Sequence, residues 1–173
     1  MRVSLLLMAA LVVRAQAVFE SEQLFPLEHW HNHSSSIAEL PNGDLIACWF
    51  HGSGERQSDD VVIMGARWSK QRKAWGKPFE LADTPGFPDV NPVLYLDAQK
   101  KLWLIWGAVL ANEWHTTLMK YRVSSDYQQA EGAPKWERAD NILLIPQRMA
   151  ERTAEVMSPY LKKTGPIKSW AAQ

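Results

Sequence analysis

Cysteine is nearly absent from this sequence, and no stretch of it carries a block of one charge. Cys48 is the single cysteine among 173 residues, which excludes a disulfide within the chain. We expect it to be a small buried core residue, because it lies in an apolar run. The 19 lysines and arginines balance 19 acidic residues without forming a basic cluster. This pattern argues against nucleic acid or an anionic membrane surface as the main partner.

The sequence also lacks a hydrophobic run that would span a bilayer comfortably. Its N-terminal apolar stretch, residues 3–13, follows Arg2 and precedes an Ala-Gln-Ala tripeptide that ends at Ala17. These three features together are typical of a secretory signal peptide. We predict that residues 1–17 are removed and that the rest is exported to the periplasm or the extracellular space, with no stable membrane span. A retained N-terminal membrane anchor is the alternative.

Tryptophan, by contrast, is abundant. Nine residues are Trp, and 46% of the chain is hydrophobic against 22% charged, a composition that is ordinary for a globular protein. The length allows one domain. Tryptophan suits half-buried strands and also stacks on ligands, so its excess favours a β-rich fold without choosing a function.

The sequence repeats one pattern in residues 37–75 and 93–136. Each copy has an apolar run, a polar turn, a Trp-bearing apolar run, a polar loop, a Met/Arg/Ser strand and a closing Trp. Equivalent residues are offset by 57 positions early in the copies and by 55 later. The pairs are Leu45/Leu102, Trp49/Trp106, Met64/Met119, Arg67/Arg122 and Ser69/Ser124. Several short strands per unit at a period of about 50 predict an all-β fold, a β-propeller or a related array.

One such unit cannot bury its own faces, and only ring closure removes exposed sheet edges. A closed propeller has roughly four to eight blades, whereas about two units are visible here. We therefore expect residues 18–173 to form the N-terminal part of a propeller domain. In the first unit, residues 35–40 and 45–50 should form a hairpin, because Pro41-Asn42-Gly43 between them is strong turn chemistry.

The pattern changes beyond Pro146. Apolar residues recur there at spacings of three and four, which predicts a short helical insertion that decorates the ring. Within it, Ser158-Pro159 predicts the start of a second helical segment, with Ser as the N-cap.

Both repeats end in degenerate copies of one turn motif. Residues 69–75 and 124–136 approximate Ser-x-Asp-x-Gly-x-x-Trp, the Asp box of BNR-type repeats, in which the Ser and Asp side chains close a hairpin. The first copy lacks the Asp and the Gly, and the second keeps Asp126 within an enlarged loop. The motif is structural, so it indicates fold rather than chemistry.

From residue 28 to residue 170 the sequence resembles a BNR-repeat sialidase-like (neuraminidase-like) protein. The likeness rests on residues 33–45, Trp49-Phe50, residues 52–56, 59–61, 91–95 and 165–168. It implies a six-bladed propeller, of which this chain would be the N-terminal portion. Sialidases of this kind cleave terminal sugars with retention, using a Tyr nucleophile, an Asp acid/base and three Arg that clamp the sugar carboxylate.

Only some of the sialidase site residues have a counterpart in this sequence. The first clamp Arg belongs just before the first strand, where His33 stands instead, and an imidazole lacks the bidentate fork of a guanidinium. The sugar need not then be sialic acid. The acid/base Asp belongs to the loop after the second strand, where Asp59 and Asp60 lie. The nucleophile and the other two clamp Arg would come from later blades.

The loop itself also supports a chemical role. Glu55, Arg56, Asp59 and Asp60 concentrate beside a Gly-containing hinge, and neighbouring carboxylates favour the protonated state that a general acid requires. We predict Asp59 or Asp60 as the acid/base, with Glu55 and Arg56 tuning it and Arg56 also binding substrate. A solvated turn with a local ion pair is the alternative.

Three histidines alternate along the segment before the first repeat. His29, His31 and His33 would share one face of an extended chain, a possible metal-ligand set. Ligands crowded along one strand face rarely close a tetrahedral site, so we expect no metal and no cofactor. We predict instead that His31 or His33 hydrogen-bonds substrate, with a structural or exposed role as the alternative.

The second repeat carries Glu113, Trp114 and His115 where the first has its acidic loop. A Trp for stacking beside a Glu and a His is typical of a carbohydrate cleft, so we predict that these three bind substrate. A Trp buried in a blade core is the alternative.

The leading hypothesis is a secreted, sialidase-like glycoside hydrolase acting on terminal sugars of glycans. The alternatives are a non-catalytic carbohydrate-binding propeller, favoured by His33 at the clamp position, and an inactive truncated fragment. The first alternative predicts glycan binding without turnover.

Overall fold

The computed structural model describes residues 17–143 and 147–164, which form two antiparallel sheets followed by one helix. The predicted signal peptide, residues 1–17, lies outside the described residues apart from its last position. The mostly β fold predicted from the sequence is confirmed. Within the described residues the two sheets do not close into a ring.

The first sheet contains the first repeat. Its strands are β1 (His31–Glu39), β2 (Leu45–Gly52), β3 (Val62–Ser69), β4 (Ala74–Trp75) and β5 (Phe79–Ala82). The order is β1-β2-β3, and both β4 and β5 pair with β3, toward its opposite ends. The predicted hairpin joins β1 to β2, where Gly43 adopts a φ of 83° that favours glycine.

The second sheet contains the second repeat. It runs in the order β6 (Asp89–Leu96), β7 (Leu102–Val109), β8 (Thr117–Ser124) and β9 (Arg138–Asn141). A short 3₁₀ helix, Trp114–Thr116, precedes β8. The three long strands β6, β7 and β8 repeat β1, β2 and β3, as the duplicated sequence predicts.

The predicted helix is α1 (Met149–Thr164). Pro159 lies inside it, so the prediction that a second helical segment begins at Ser158-Pro159 is wrong, and α1 is continuous. Its apolar residues Met149 and Val156 are exposed rather than packed on a sheet. Among the described residues, no helix combines the length and the apolar character needed to cross a membrane.

The core lies between the two sheets. Alternate residues of β2 and β7 contribute to it, because successive side chains of a strand point to opposite faces. They include Ile46, Cys48, Phe50, Leu102, Leu104 and Trp106, all nearly or fully buried. The other face of β2 is covered by the segment before β1, where Phe25 stacks on Trp49 with ring centroids 5.2 Å apart.

Each sheet has a one-residue bulge in its first strand. In β1 the pairing shifts between His33 and Ser36, and in β6 it shifts between Val90 and Val93. Ser34 and Asn91 take positive φ angles of 55° and 50° at these points. Both bulges lie at equivalent repeat positions, so they belong to the repeat itself.

The two degenerate turn motifs both close their hairpins. In the second copy the Ser124 hydroxyl accepts from the Asp126 N–H at 3.0 Å and donates to the Lys135 carbonyl at 2.6 Å. In the first copy the motif has no Asp of its own. Asp44, from the neighbouring β1–β2 turn, accepts from the Lys70 N–H at 2.8 Å in its place.

Candidate functional site

The residues predicted as a site from the sequence collect at one end of the two sheets. There β1 begins and β2 ends, since His31 pairs with Gly52, and the β2–β3 loop follows. At the corresponding end of the second sheet, the β7–β8 loop follows Val109. The antiparallel pairing of the strands therefore brings the polar loops of both repeats to the same side.

The two loops are joined by Arg56 and Asn112. The Arg56 guanidinium donates to the Asn112 carbonyl, and the Asn112 amide donates to the Arg56 carbonyl at 2.8 Å. The same Asn112 amide donates to Asp59 Oδ1 at 3.3 Å. This exchange fixes the acidic loop of the first repeat against the equivalent loop of the second.

Arg56 also faces two of the residues predicted to bind substrate. Its Nη1 lies 3.8 Å from Glu113 Oε2, and its guanidinium carbon lies 5.9 Å from the centroid of the Trp114 ring. Trp114 is 44% exposed, so the alternative of a core Trp does not apply to it. His115 is exposed in the 3₁₀ helix and forms no hydrogen bond or ion pair with the described residues around it.

Asp59 and Asp60 have different surroundings. Asp60 Oδ1 accepts from the Ser53 hydroxyl at 2.9 Å and from the Ser53 N–H at 3.1 Å, and so closes the loop. Asp59 is exposed and accepts only from the Asn112 amide among the described residues. Asp60 is exposed as well, but its carboxylate is engaged by Ser53, whereas that of Asp59 has the single contact with Asn112 among the described residues.

His31 and His33 project from β1 on the same face as Phe50. The His31 ring lies parallel to the Phe50 ring at 5.3 Å, and the His33 ring meets it edge-on at 5.5 Å. Glu55 comes from the β2–β3 loop, and its Oε1 lies 3.6 Å from His33 Nδ1. His29 lies before β1 with its ring against Trp30, so it is not part of this group.

The opposite face of β1 carries a separate polar group. Asn32 Oδ1 accepts from the Trp49 indole at 2.9 Å and lies 2.9 Å from His51 Nδ1. Glu28 Oε1 lies 3.3 Å from the same His51 nitrogen. These contacts hold the segment before β1 on the first sheet.

A cavity of about 640 Å³ lies at the other end of the first sheet, away from these loops. Its lining includes Asp44, Arg67 and Gln129. Asp44 and Arg67 are already engaged, by the Lys70 N–H and by the carbonyls of Tyr127 and Gly132. The polar groups of this cavity therefore close turns.

Asn112 and Phe50 both organise the site, and neither was predicted from the sequence as a site residue. Asn112 has a φ of 54°, and asparagine is enriched in that left-handed region. An Asn directly before Glu113 and Trp114 was the available signal. No signal in the sequence pointed to Phe50, because its role depends on which face of β1 the histidines occupy.

The family model for BNR repeat-like domains matches residues 43–162. The chain belongs to the BNR repeat-like family. The match covers both loops of this BNR repeat-like protein and extends into α1, while β1 and its histidines precede it. No curated protein sequence matches the chain.

Proposed function

We propose that this BNR repeat-like protein is a sialidase-like glycoside hydrolase that acts on terminal sugars of glycans outside the cytoplasm. In this proposal the two sheets are blades of a β-propeller, and the end that carries Arg56 and Asn112 faces the substrate. The observation that supports it is the contact between those two residues, which unites a carboxylate-bearing loop and a Trp-bearing loop from equivalent repeat positions.

Trp114 and Arg56 supply the groups that bind a sugar. An exposed indole offers a flat apolar face to the C–H side of a pyranose ring, and the half-buried guanidinium beside it donates to hydroxyl or carboxylate oxygens. Glu113, at 3.8 Å from Arg56, orients the guanidinium. His31 and His33 lie on the neighbouring strand, where they would extend the same surface.

Asp59 is the better candidate for the acid/base, because the Asp60 carboxylate already closes the loop on Ser53. Asp59 would first donate a proton to the leaving oxygen and would then accept one from the attacking water. The Asn112 amide, at 3.3 Å from Asp59 Oδ1, would hold the carboxyl in position. The nucleophile and two further clamp arginines are expected from other blades.

A non-catalytic carbohydrate-binding protein is the second candidate. It is favoured by His33, which occupies the place of the first clamp Arg in the sialidase-like pattern and cannot form a bidentate contact with a sugar carboxylate. Such a protein would use the same Trp114 and Arg56 surface without turning the glycan over.

Binding is tested with the chain itself on a panel of glycans, followed by calorimetry with the best ligand. Trp114→Ala should weaken binding at least about tenfold, because stacking on an aromatic ring is lost. Trp30→Ala is the matched control, since Trp30 is also exposed but contacts His51, on the other face of β1. Equal loss in both variants, or no glycan bound by the wild type, would exclude a carbohydrate cleft at these loops.

Hydrolysis is tested with protein purified from its native source. The substrate is the glycan that binds best. Asp59→Asn should lower kcat by roughly 10²–10⁴-fold while KM changes little, and a substrate with a good leaving group should partly restore the rate. Asp60→Asn should instead lower stability. Turnover of Asp59→Asn at the wild-type rate would exclude Asp59 as the acid/base, whereas absence of turnover by the wild type would leave the binding function as the remaining candidate.

A further inference from the structure

We propose that His31, His33 and Glu55 form a binding site for a divalent transition-metal ion, with Zn²⁺ as the best fit. One possible ligand atom from each of the three residues lies within 4.8 Å of the other two. Two imidazoles and one carboxylate are a common three-residue ligand set for zinc. Neither the sequence pattern nor the family match assigns a metal here.

The spacing of these atoms is close to that of a coordination sphere. Metal–ligand bonds of about 2.0–2.2 Å in a tetrahedral arrangement place neighbouring ligand atoms roughly 3.3–3.6 Å apart. The distance from His33 Nδ1 to Glu55 Oε1 is already 3.6 Å. The ligand atom of His31 lies within 4.8 Å of the other two, so its exposed side chain has to move closer for all three to bind one ion.

The two imidazoles are oriented by a rigid neighbour. Phe50 is fully buried and packs against both rings, parallel to His31 and perpendicular to His33. Because the rings alternate along one strand at positions i and i+2, the backbone of β1 fixes the distance between them. This preorganisation lowers the entropic cost of placing two ligands at once.

Glu55 supplies a third ligand from outside the strand that carries the two histidines. From the histidines alone we expected no metal, because ligands along a single strand face rarely close a tetrahedral site. Glu55 approaches from a different element, the β2–β3 loop, and that loop is held at the next residue by the exchange between Arg56 and Asn112. The ligand set therefore comes from two directions.

The donor types select the metal. Nitrogen ligands favour Zn²⁺, Ni²⁺, Co²⁺ and Cu²⁺ over Ca²⁺ and Mg²⁺, which prefer oxygen. The side chains of His33 and Glu55 are 63% and 33% exposed, so the fourth coordination position faces solvent. A water molecule or an oxygen of a bound ligand can occupy it.

The inference is independent of the proposed hydrolase, because it concerns binding of the ion in the absence of any glycan. It does assign Glu55 a role different from the tuning of Asp59 that the sequence predicts.

The site is tested with the untagged, metal-free chain titrated with Zn²⁺ alone in a calorimeter, with Co²⁺ absorption as a second readout. We expect one ion per chain, a rise in Tm on saturation, and Co²⁺ bands of low coordination number. His31→Gln, His33→Gln and Glu55→Gln should each weaken binding at least about tenfold. All three residues are at least partly exposed, and circular dichroism checks that the variants fold.

The matched controls are His29→Gln and His115→Gln, which remove exposed histidines outside the group. Both should bind Zn²⁺ as the wild type does. The proposal is overturned if the wild type takes up no Zn²⁺ at 100 µM, a concentration on the order of that expected to saturate a preorganised three-ligand site. It is equally overturned if the controls lose as much affinity as the ligand variants, which would indicate nonspecific binding by surface histidines.

Discussion

Arg67 and Arg122 occupy equivalent positions in the two repeats, and each donates to backbone carbonyls of the other sheet. Arg67, on β3, donates to the carbonyls of Gly132 at 2.7 Å and Tyr127 at 2.8 Å, both in the β8–β9 loop. Arg122, on β8, donates to the Leu81 carbonyl of β5 at 2.7 Å. One repeated residue thus ties the sheets together in both directions.

We expect Arg67→Ala to destabilise the chain more than Arg122→Ala. Arg67 is 5% exposed, and its removal leaves two carbonyls without their donor. The loss should be about 3 kcal/mol, against about 1 kcal/mol for the single, less buried bond of Arg122. Urea unfolding of both variants measures the difference. Equal losses would show that burial does not distinguish the two arginines.

Asp89 should make stability depend on pH. It is fully buried, and burial raises its pKa to about 6, although hydrogen bonds from Thr84 and Trp106 oppose the rise. An unfolded Asp titrates near 3.9, so the folded chain holds this proton more tightly. Its contribution is therefore fully present below about pH 4 and is lost as the pH rises through 6. The expected loss is about 3 kcal/mol.

The measurement is the free energy of unfolding between pH 4 and pH 7 for the wild type and for Asp89→Asn. The asparagine cannot ionise, so the difference between the two curves should shrink or change sign across this window. Asp97→Asn is the control, because the Lys101 N–H and the Trp103 indole lower the pKa of Asp97 and move its titration below the window. A constant difference between wild type and Asp89→Asn would contradict the prediction.

Cys48 should be unreactive in the folded chain. It is fully buried, and burial raises the pKa of its thiol to about 12. The thiolate is the reactive form, so a thiol reagent at pH 8 should label it only at the rate of unfolding. Complete, rapid labelling in urea is the positive control. Rapid labelling without denaturant would show that the sheets separate easily at this point.

The outer face of the second sheet should promote self-association. Val93, Tyr95 and Met119 lie there and are 49%, 55% and 40% exposed, and Trp103 and Ile105 pair beside them. Contiguous apolar surface of this kind favours contact between copies. The double variant Val93→Thr/Tyr95→Thr should shift sedimentation toward the monomer. Leu110→Thr, an exposed apolar residue in a loop, should not.

The parts of the fold that depend on local chemistry were predictable from the sequence. The Pro41-Asn42-Gly43 turn and the apolar runs of β2 and β7 lie where expected, because turn residues and apolar periodicity act over short distances. β1 was predicted to begin at residue 35 but begins at His31. Its first residues are polar, so no apolar alternation marked them as a strand.

The sequence predicted which residues belong to the candidate site better than it predicted how they contact one another. The shared face of His31 and His33 follows from strand geometry alone. The approach of Glu55 and the exchange between Arg56 and Asn112 depend on loop paths that join residues 56 positions apart. The different surroundings of Asp59 and Asp60 depend on Ser53, whose contact no pattern in the sequence signalled.

The bulge at Ser34 decides which face of β1 carries the histidines. A strand alternates its side chains with a period of two, and the extra residue of a bulge shifts the register on its far side. Without the bulge, regular pairing of the same residues from Ser36 onward would place Ser34 opposite Phe50 and carry both histidines to the face of Trp49. Deletion of Ser35 would remove the extra residue and leave His33 opposite Phe50, so Zn²⁺ uptake should persist. Deletion of both Ser34 and Ser35 would place His33 opposite Trp49, so uptake should vanish although all three proposed zinc ligands remain in the sequence.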